Sequence, residues 1–222
     1  MEFQSDKISE AVVRRLTDYL RCLRCAHEKG RSMLTSEDMS KYCGFKSSVI
    51  RKDLAQFGAS GVKGQGYVIS ELTIHLNKIL GINNIKNVVL VGTGHLGTAI
   101  ARYPGFINAN FNFIAAFDID DEKIGGSIGH THIYSIDTLN KYIEDHKIEV
   151  IVLAVPSSAA SDIVEKLDSN IVKGILNFTT MVFPGRMNDM YIHNIDLAKE
   201  LEVISFCMKN CLTQKSDDQD IN

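Results

Sequence analysis

The chain has no tryptophan, only three prolines in 222 residues, and an odd number of cysteines, five. With no dense spacing among them, Cys22, Cys25, Cys43, Cys207 and Cys211 do not describe a disulfide framework, and free thiols are expected. Cys22-Leu-Arg-Cys25 lacks the second ligand pair that a zinc site needs. The two thiols are read instead as small apolar residues on one helix face. Also missing is any apolar run near the roughly 20 residues that cross a bilayer. The N-terminus MEFQSDKISE has none of the apolar core of a signal peptide. A soluble, cytoplasmic protein with no membrane partner is expected.

A net charge of −3 argues against a polyanion partner until it is divided along the chain. Residues 1–80 carry 13 Lys/Arg against 9 Asp/Glu, and residues 81–222 carry 11 against 18. A basic module therefore precedes an acidic one, and only the first suits nucleic acid.

The basic module is helical. Ala11, Val12, Leu16, Tyr19, Leu20, Leu23 and Ala26 repeat at helical spacing from Ser9 to about Lys29. Thr35-Ser36-Glu37-Asp38 offers a capped start for a short helix that ends at Gly44. A third helix, Val49 to Phe57, carries Arg51 and Lys52, which completes a helix-turn-helix pattern. Gly61 to Tyr67 is too glycine-rich for a helix and fits a β-hairpin wing. Ser70 to Leu80 is a further amphipathic helix, and 81–84 reads as a linker.

The acidic module alternates strand and helix: strands over 87–91, 113–117, 149–155 and 174–178, and helices over 95–103, 136–146 and 159–167. That alternation predicts a parallel sheet with right-handed crossovers. A last amphipathic helix, Ile195 to Met208, puts Leu197, Leu201, Ile204 and Met208 on one face, and the residues from 211 to 222 are expected to be disordered. The expected fold class is α/β, with a winged helix-turn-helix domain over 1–80, a Rossmann-type domain over 85–190 and a C-terminal helix over 191–210.

Val88 to Val91 run into Gly92-Thr93-Gly94-His95-Leu96-Gly97, a strand entering G-x-G-x-x-G and then a helix. The first glycine suits a tight turn, the second a close approach of backbone to pyrophosphate, the third close helix–strand packing. Asp118, 21 residues past the last glycine, ends the next strand, where an acid accepts from a ribose 2′-OH and repels a 2′-phosphate. NAD(H) is therefore expected over NADP(H). Ile119 and Lys123 flank that acid, and Ala154-Val155-Pro156 and Asn177-Phe178 end later strands at the same sheet edge. A dehydrogenase needs an acid/base opposite the nicotinamide. His130, His132 and His146 are the available histidines, expected in a loop or at a helix end, and read as solvated.

Lys46, Ser47, Ser48, Arg51 and Lys52 cluster at the start of the third helix, the end of a recognition helix that enters the major groove. Arg51 could read guanine O6 and N7, while Lys63 and Gln65 sit in the wing. The plainer reading of Arg51-Lys52-Asp53 is a solvated helix face.

Ordered along the chain, Arg15-Leu16, Tyr19-Leu20-Arg21, Val49 to Leu54, Phe57-Gly58, Gly64 to Tyr67, the Val91–Gly97 motif, Tyr103 to Phe106, Ala115 to Asp118, Ile175 to Phe178 and Asn194 to Leu197 resemble the Rex family of redox-sensing repressors. The match runs from about Ile8 to Met208. The resemblance implies a homodimer whose last helix is exchanged between subunits, a palindromic DNA operator, and NADH and NAD⁺ as ligands, with NADH releasing the DNA. It also implies a ligand-sensitive polar network of Arg15, Tyr103 and Asp196, with Tyr103 contributing to the dinucleotide site. The chain departs from the family pattern at Val62-Lys63, at Thr179-Thr180 and in the loop 181–189. Two other readings stay open at this point: an NAD-dependent oxidoreductase with an accessory N-terminal domain, and a Rex-like repressor that has lost redox sensing.

Overall fold

A computed structural model describes residues 8–217. The chain divides into two compact units, Met1–Ile85 and Lys86–Asn222.

The first unit holds α1 (Glu10–Glu28), β1 (Met33–Leu34), α2 (Ser36–Cys43), α3 (Ser47–Gln56), β2 (Tyr67–Val68) and α4 (Ile69–Ile79). Its core joins Leu16, Tyr19 and Leu23 of α1 to Leu54 of α3 and Leu76 of α4. Burying each such side chain stabilises the unit by roughly 1.5–3 kcal/mol. The capped start of α2 forms as expected: Asp38 N–H donates to Thr35 Oγ1 at 3.0 Å and Thr35 N–H to Asp38 Oδ2 at 3.4 Å. Gly44 ends the helix at φ +74°.

The wing differs from the expected local hairpin. Its strand, β2, pairs antiparallel with β1, more than thirty residues earlier, while residues 61–66 are held by a Val62–Gly66 bridge. The two residues of β1 are too few to show a periodicity, so that strand is not legible in the sequence. Gly66 is required at this junction: at φ +93°, a Cβ would lie 2.8 Å from Thr35 Cα. Cys22 is buried against Cys43, whereas Cys25 is exposed, which corrects the expectation that Cys22 and Cys25 share one apolar face. Burial pushes the Cys22 thiol up to about 12 and raises Cys43 as well, so both remain thiols.

The second unit is an eight-stranded sheet. In chain order it contains β3 (Lys86–Val91), α5 (His95–Ala101), α6 (Gly105–Asn108), β4 (Phe111–Asp118), β5 (Ser127–Ile128), β6 (Thr131–Ser135), α7 (Leu139–His146), β7 (Val150–Leu153), α8 (Ser157–Glu165), β8 (Gly174–Asn177), β9 (Arg186–Met187), β10 (Met190–Asn194) and α9 (Leu197–Asp217). The strand order is β5-β6-β4-β3-β7-β8-β10-β9, parallel through the middle six and antiparallel at both edges. Core residues cover both faces of β3 and β4, which explains the continuous apolar runs.

The two edge pairs were not anticipated. His132, expected in a loop, lies on β6, and the chain from 186 to 194 forms a hairpin whose second strand pairs with β8. Helix α9 is continuous to Asp217, so the part of the expected disordered tail from 211 to 217 is helical. No proline or glycine interrupts that stretch. Residues 218–222 lie outside the described residues. The predicted apolar face of α9 exists, but Leu197, Leu201, Ile204 and Met208 all stand exposed in the single chain. Among the described residues, no helix is long and apolar enough to cross a membrane.

Candidate functional site

The chain leaves β3 from the centre of the sheet, where its neighbours β4 and β7 lie on opposite sides. That is the switch point at which open parallel sheets form a ligand crevice. A cleft of about 560 Å³ opens there between the carboxyl ends of β3, β4 and β7.

Each glycine of the motif has its own constraint. Gly92 turns at φ +96°, and a Cβ there would lie 2.7 Å from the carbonyl carbon of Ala154, just past the end of β7. A Cβ at Gly97 would collide with the Gly92 carbonyl. Gly94, which caps α5, has an ordinary φ of −65° and nothing within 4 Å of a built Cβ. Its bareness serves no contact inside the fold and leaves the backbone open to the cleft.

Asp118 ends β4 on the cleft wall. It accepts from Thr93 N–H at 2.8 Å, from the Thr93 hydroxyl, from Ile119 N–H at 2.8 Å and from Asp120 N–H at 3.1 Å. Burial pushes this carboxyl up, but the Thr93 and Asp120 hydrogen bonds and the Lys123 charge at 3.6 Å outweigh it and hold it ionised, below the usual range. Lys123 also pairs with Asp120 at 3.1 Å.

Of the expected dinucleotide residues, Gly92, Gly94, Asp118, Ile119, Lys123, Ala154, Val155 and Pro156 line one cleft. Others do not. Thr93 is buried and spends its N–H and hydroxyl on Asp118. His95 and Leu96 are exposed along α5. Phe178 packs against the cluster that includes Val88 and Leu90, whereas Val91 and Phe117 belong to the separate cluster that includes Ala160 and Val164. Ile136, Ala159 and Ile163 also line the cleft and were missed. Their only signal was position, at or after the carboxyl edge of a strand.

Asn177 is fully buried and its amide is used within the chain. It donates to Met181 O at 2.7 Å and Asn194 Oδ1 at 2.8 Å, and it accepts from Thr179 N–H at 3.0 Å and the Thr179 hydroxyl at 2.8 Å. Asn194 in turn brackets Phe183, accepting from its N–H at 3.1 Å and donating to its carbonyl at 2.8 Å. The Thr179 departure from the family pattern thus supplies a hydroxyl to a clamp on the loop after β8.

His130, His132 and His146 are not among the residues that line the cleft. His130 is in the β5–β6 turn, His132 faces out of β6, and His146 ends α7 stacked on Tyr142 at 3.9 Å. Tyr103 is exposed after α5, edge-on to Phe106 at 5.7 Å, and Asp196 caps α9 by accepting from Ala198 N–H at 3.0 Å.

In the first unit, Lys46, Ser48, Arg51 and Lys52 are exposed at and beyond the start of α3, with Ser47 half-buried, and Lys63 and Gln65 are exposed on the wing. Arg51 is not a bare cation. Its Nη1 donates to Ser36 Oγ at 2.9 Å and to Glu37 Oε1 at 2.8 Å. Arg15 engages Asp53 on the inner side of α3 at 2.6 and 2.9 Å. Among the described residues, no group of three or more His, Cys, Asp or Glu is placed to hold a metal.

A basic helix-turn-helix with a wing and an acid-walled Rossmann cleft thus share one chain. The family model described as "CoA binding domain" matches residues 83–181, and that described as "Putative DNA-binding protein N-terminus" matches residues 7–55. A redox-sensing transcriptional repressor Rex of Carboxydothermus hydrogenoformans is 39% identical over 200 residues, 90% of this chain and 96% of that protein. One of Bacillus subtilis is 37% identical over 213 residues, 95% and 96% of the two chains. Among solved structures, RSP in complex with β-NAD⁺ and operator DNA is 30% identical with a TM-score of 0.83, covering 97% of this chain and 99% of that one. RSP in complex with β-NADH is 29% identical with a TM-score of 0.79, covering 95% and 98%. Identity of this level, sustained over nine-tenths of both sequences, means that the chain belongs to the Rex family of redox-sensing transcriptional repressors.

Proposed function

We propose that this chain represses transcription by binding operator DNA through its N-terminal unit, and that NADH and NAD⁺ in the cleft of the second unit set its affinity, NADH releasing the DNA. The observation that carries the reading is the cleft itself. Its floor is bare backbone at Gly94, and its wall ends in the ionised Asp118. A pyrophosphate fits the first, and the hydroxyls of an adenosine ribose fit the second. The dinucleotide supplies no group transfer in this role. It acts by binding two arrangements of the protein with unequal affinity. Relatives with β-NAD⁺, β-NADH and operator DNA bound support the same assignment.

Gly92, Gly94, Asp118, Ile119, Lys123 and Ala154 to Pro156 would hold the nucleotide. Lys46, Ser48, Arg51 and Lys52 would meet the major groove, with Lys63 and Gln65 at the backbone or minor groove. A homodimer on a palindromic site agrees with the exposed apolar face of α9, which an exchange of helices between subunits would cover. Arg15, Tyr103 and Asp196 would carry the switch. The chain acts in the cytoplasm and is not an enzyme, a reading supported by relatives that are named as transcriptional repressors.

The test is fluorescence anisotropy of a labelled palindromic duplex at fixed salt, with protein alone, with NAD⁺ and with NADH. Release by NADH alone supports the switch. Equal binding in all three conditions leaves a repressor without redox sensing, and turnover of NADH with an aldehyde or keto acid would instead make the chain an oxidoreductase.

A further inference from the structure

Arg51 belongs to a closed ring of hydrogen bonds with Ser36 and Glu37. Its Nη1 donates to Ser36 Oγ at 2.9 Å and Glu37 Oε1 at 2.8 Å, and Ser36 Oγ donates to Glu37 Oε2 at 3.2 Å. The platform under the ring is rigid. Ser36 is 5% exposed at the first turn of α2, that turn is fixed by the Thr35–Asp38 capping box, and Asp38 is held by Arg31 at 2.8 Å. Both protons of Nη1 are spent in the ring, while Nε and Nη2 have no partner among the described residues. Arg51 lines a cavity of about 380 Å³ that it shares with Gly61 to Gly64 of the wing.

An exposed Arg–Glu pair adds little stability, so this ring calls for another account. A guanidinium is a planar fork that recognises a base by presenting two parallel N–H groups. Which edge it presents depends on what holds the other. We infer that Glu37, together with Ser36, positions Arg51 for sequence readout, so that its Nε–Nη2 edge meets the O6 and N7 of a guanine. A guanidinium held in this way loses little freedom on docking and cannot swing onto a phosphate or another base. Glu37 stays ionised: its own backbone N–H, Arg51 and Ser36 all hold its carboxyl below the usual range. Its charge also repels the DNA backbone of every sequence alike. Glu37 therefore lowers general affinity and sharpens choice at one base pair.

This inference rests on Arg51 as a base-contacting residue, and the experiment separates the two claims. Full-length wild type, R51A, E37Q, E37D and S36A would each be titrated against a duplex selected by the wild-type protein from a random pool. The same titrations would cover every single base-pair change and an unselected random duplex. The wild type is expected to lose at least about fivefold at one G·C pair per half-site, the range of a bidentate contact. R51A abolishes the penalty at that pair. E37Q, E37D and S36A reduce the penalty there by half or more and leave the other positions unchanged, and E37Q alone also tightens binding to random DNA. If R51A removes the penalty while E37Q and E37D keep it at the wild-type value, Glu37 acts only as a repelling charge and the inference fails. If R51A keeps every penalty, Arg51 reads no base, and the inference fails with that reading.

Discussion

The guanidinium of Arg15 on the first helix grips both carboxylate oxygens of Asp53 on the third, at 2.6 and 2.9 Å, and the Tyr19 hydroxyl donates to the same carboxylate at 2.8 Å. Asp53 is 4% exposed, so its charge is costly to bury without these partners. Burial pushes its carboxyl up, but the Arg15 and Tyr19 hydrogen bonds prevail and hold it ionised. Asp53 follows Arg51 and Lys52 on the same helix. One face of α3 is thus available for DNA, and the other is bolted to Arg15, the residue that the family resemblance assigns to the switch.

Replacing Asp53 with Asn leaves the half-buried Arg15 without its counter-charge. The N-terminal unit is expected to lose about 3 kcal/mol, the range for breaking a buried pair. Urea unfolding followed by circular dichroism reads this directly. A loss below about 1 kcal/mol would mean that solvent reaches the pair and screens it.

Acid is expected to unfold the chain by way of Asp53 and Asp118. Both carboxyls lie below their ordinary value in the folded chain. Their contribution is complete above the unfolded value of about 3.9 and is lost as pH falls through the depressed folded values. Unfolding free energy measured from pH 7 down to pH 3 is expected to drop steeply only below about pH 4, and D53N flattens part of that fall. An unchanged slope in D53N would assign the acid limb to other groups.

Two glycines of one motif are expected to fail in different ways. Gly94→Ala meets no atom within 4 Å and needs no positive φ, so Tm stays within a degree or two while NADH binding by calorimetry weakens at least tenfold. Gly97→Ala meets the Gly92 carbonyl and lowers Tm as well. Tight NADH binding by a well-folded G94A would move the pyrophosphate elsewhere.

Asn194→Ala removes the bracket on Phe183 and one partner of Asn177. It leaves several polar groups unpaired, at about 1–3 kcal/mol for each that water cannot reach. Thr179→Ala costs about 1 kcal/mol, because the Thr179 N–H still serves Asn177 Oδ1. Comparison of the two melting curves checks the order. A larger effect from T179A than from N194A would contradict the clamp.

The sequence by itself determined what is local. The apolar run entering Gly92, the acid 21 residues past Gly97, the capped α2 and the helical period of α1 follow from neighbouring residues, because backbone sterics and side-chain spacing act over a turn or a strand. Tertiary structure alone decided the pairing of β1 with β2 and the addition of β10 to the sheet. The two-residue strands β1 and β2 carry too few residues to display a period, and both they and β10 gain their place only by pairing with a segment distant in the chain. The same holds for the polar pairs. Arg15 with Asp53, Arg51 with Glu37 and Asn177 with Asn194 are 38, 14 and 17 residues apart, and a charge or an amide has no period that names its partner. Which carboxylate a guanidinium meets is settled only when packed helices exclude water from one choice and leave the others solvated.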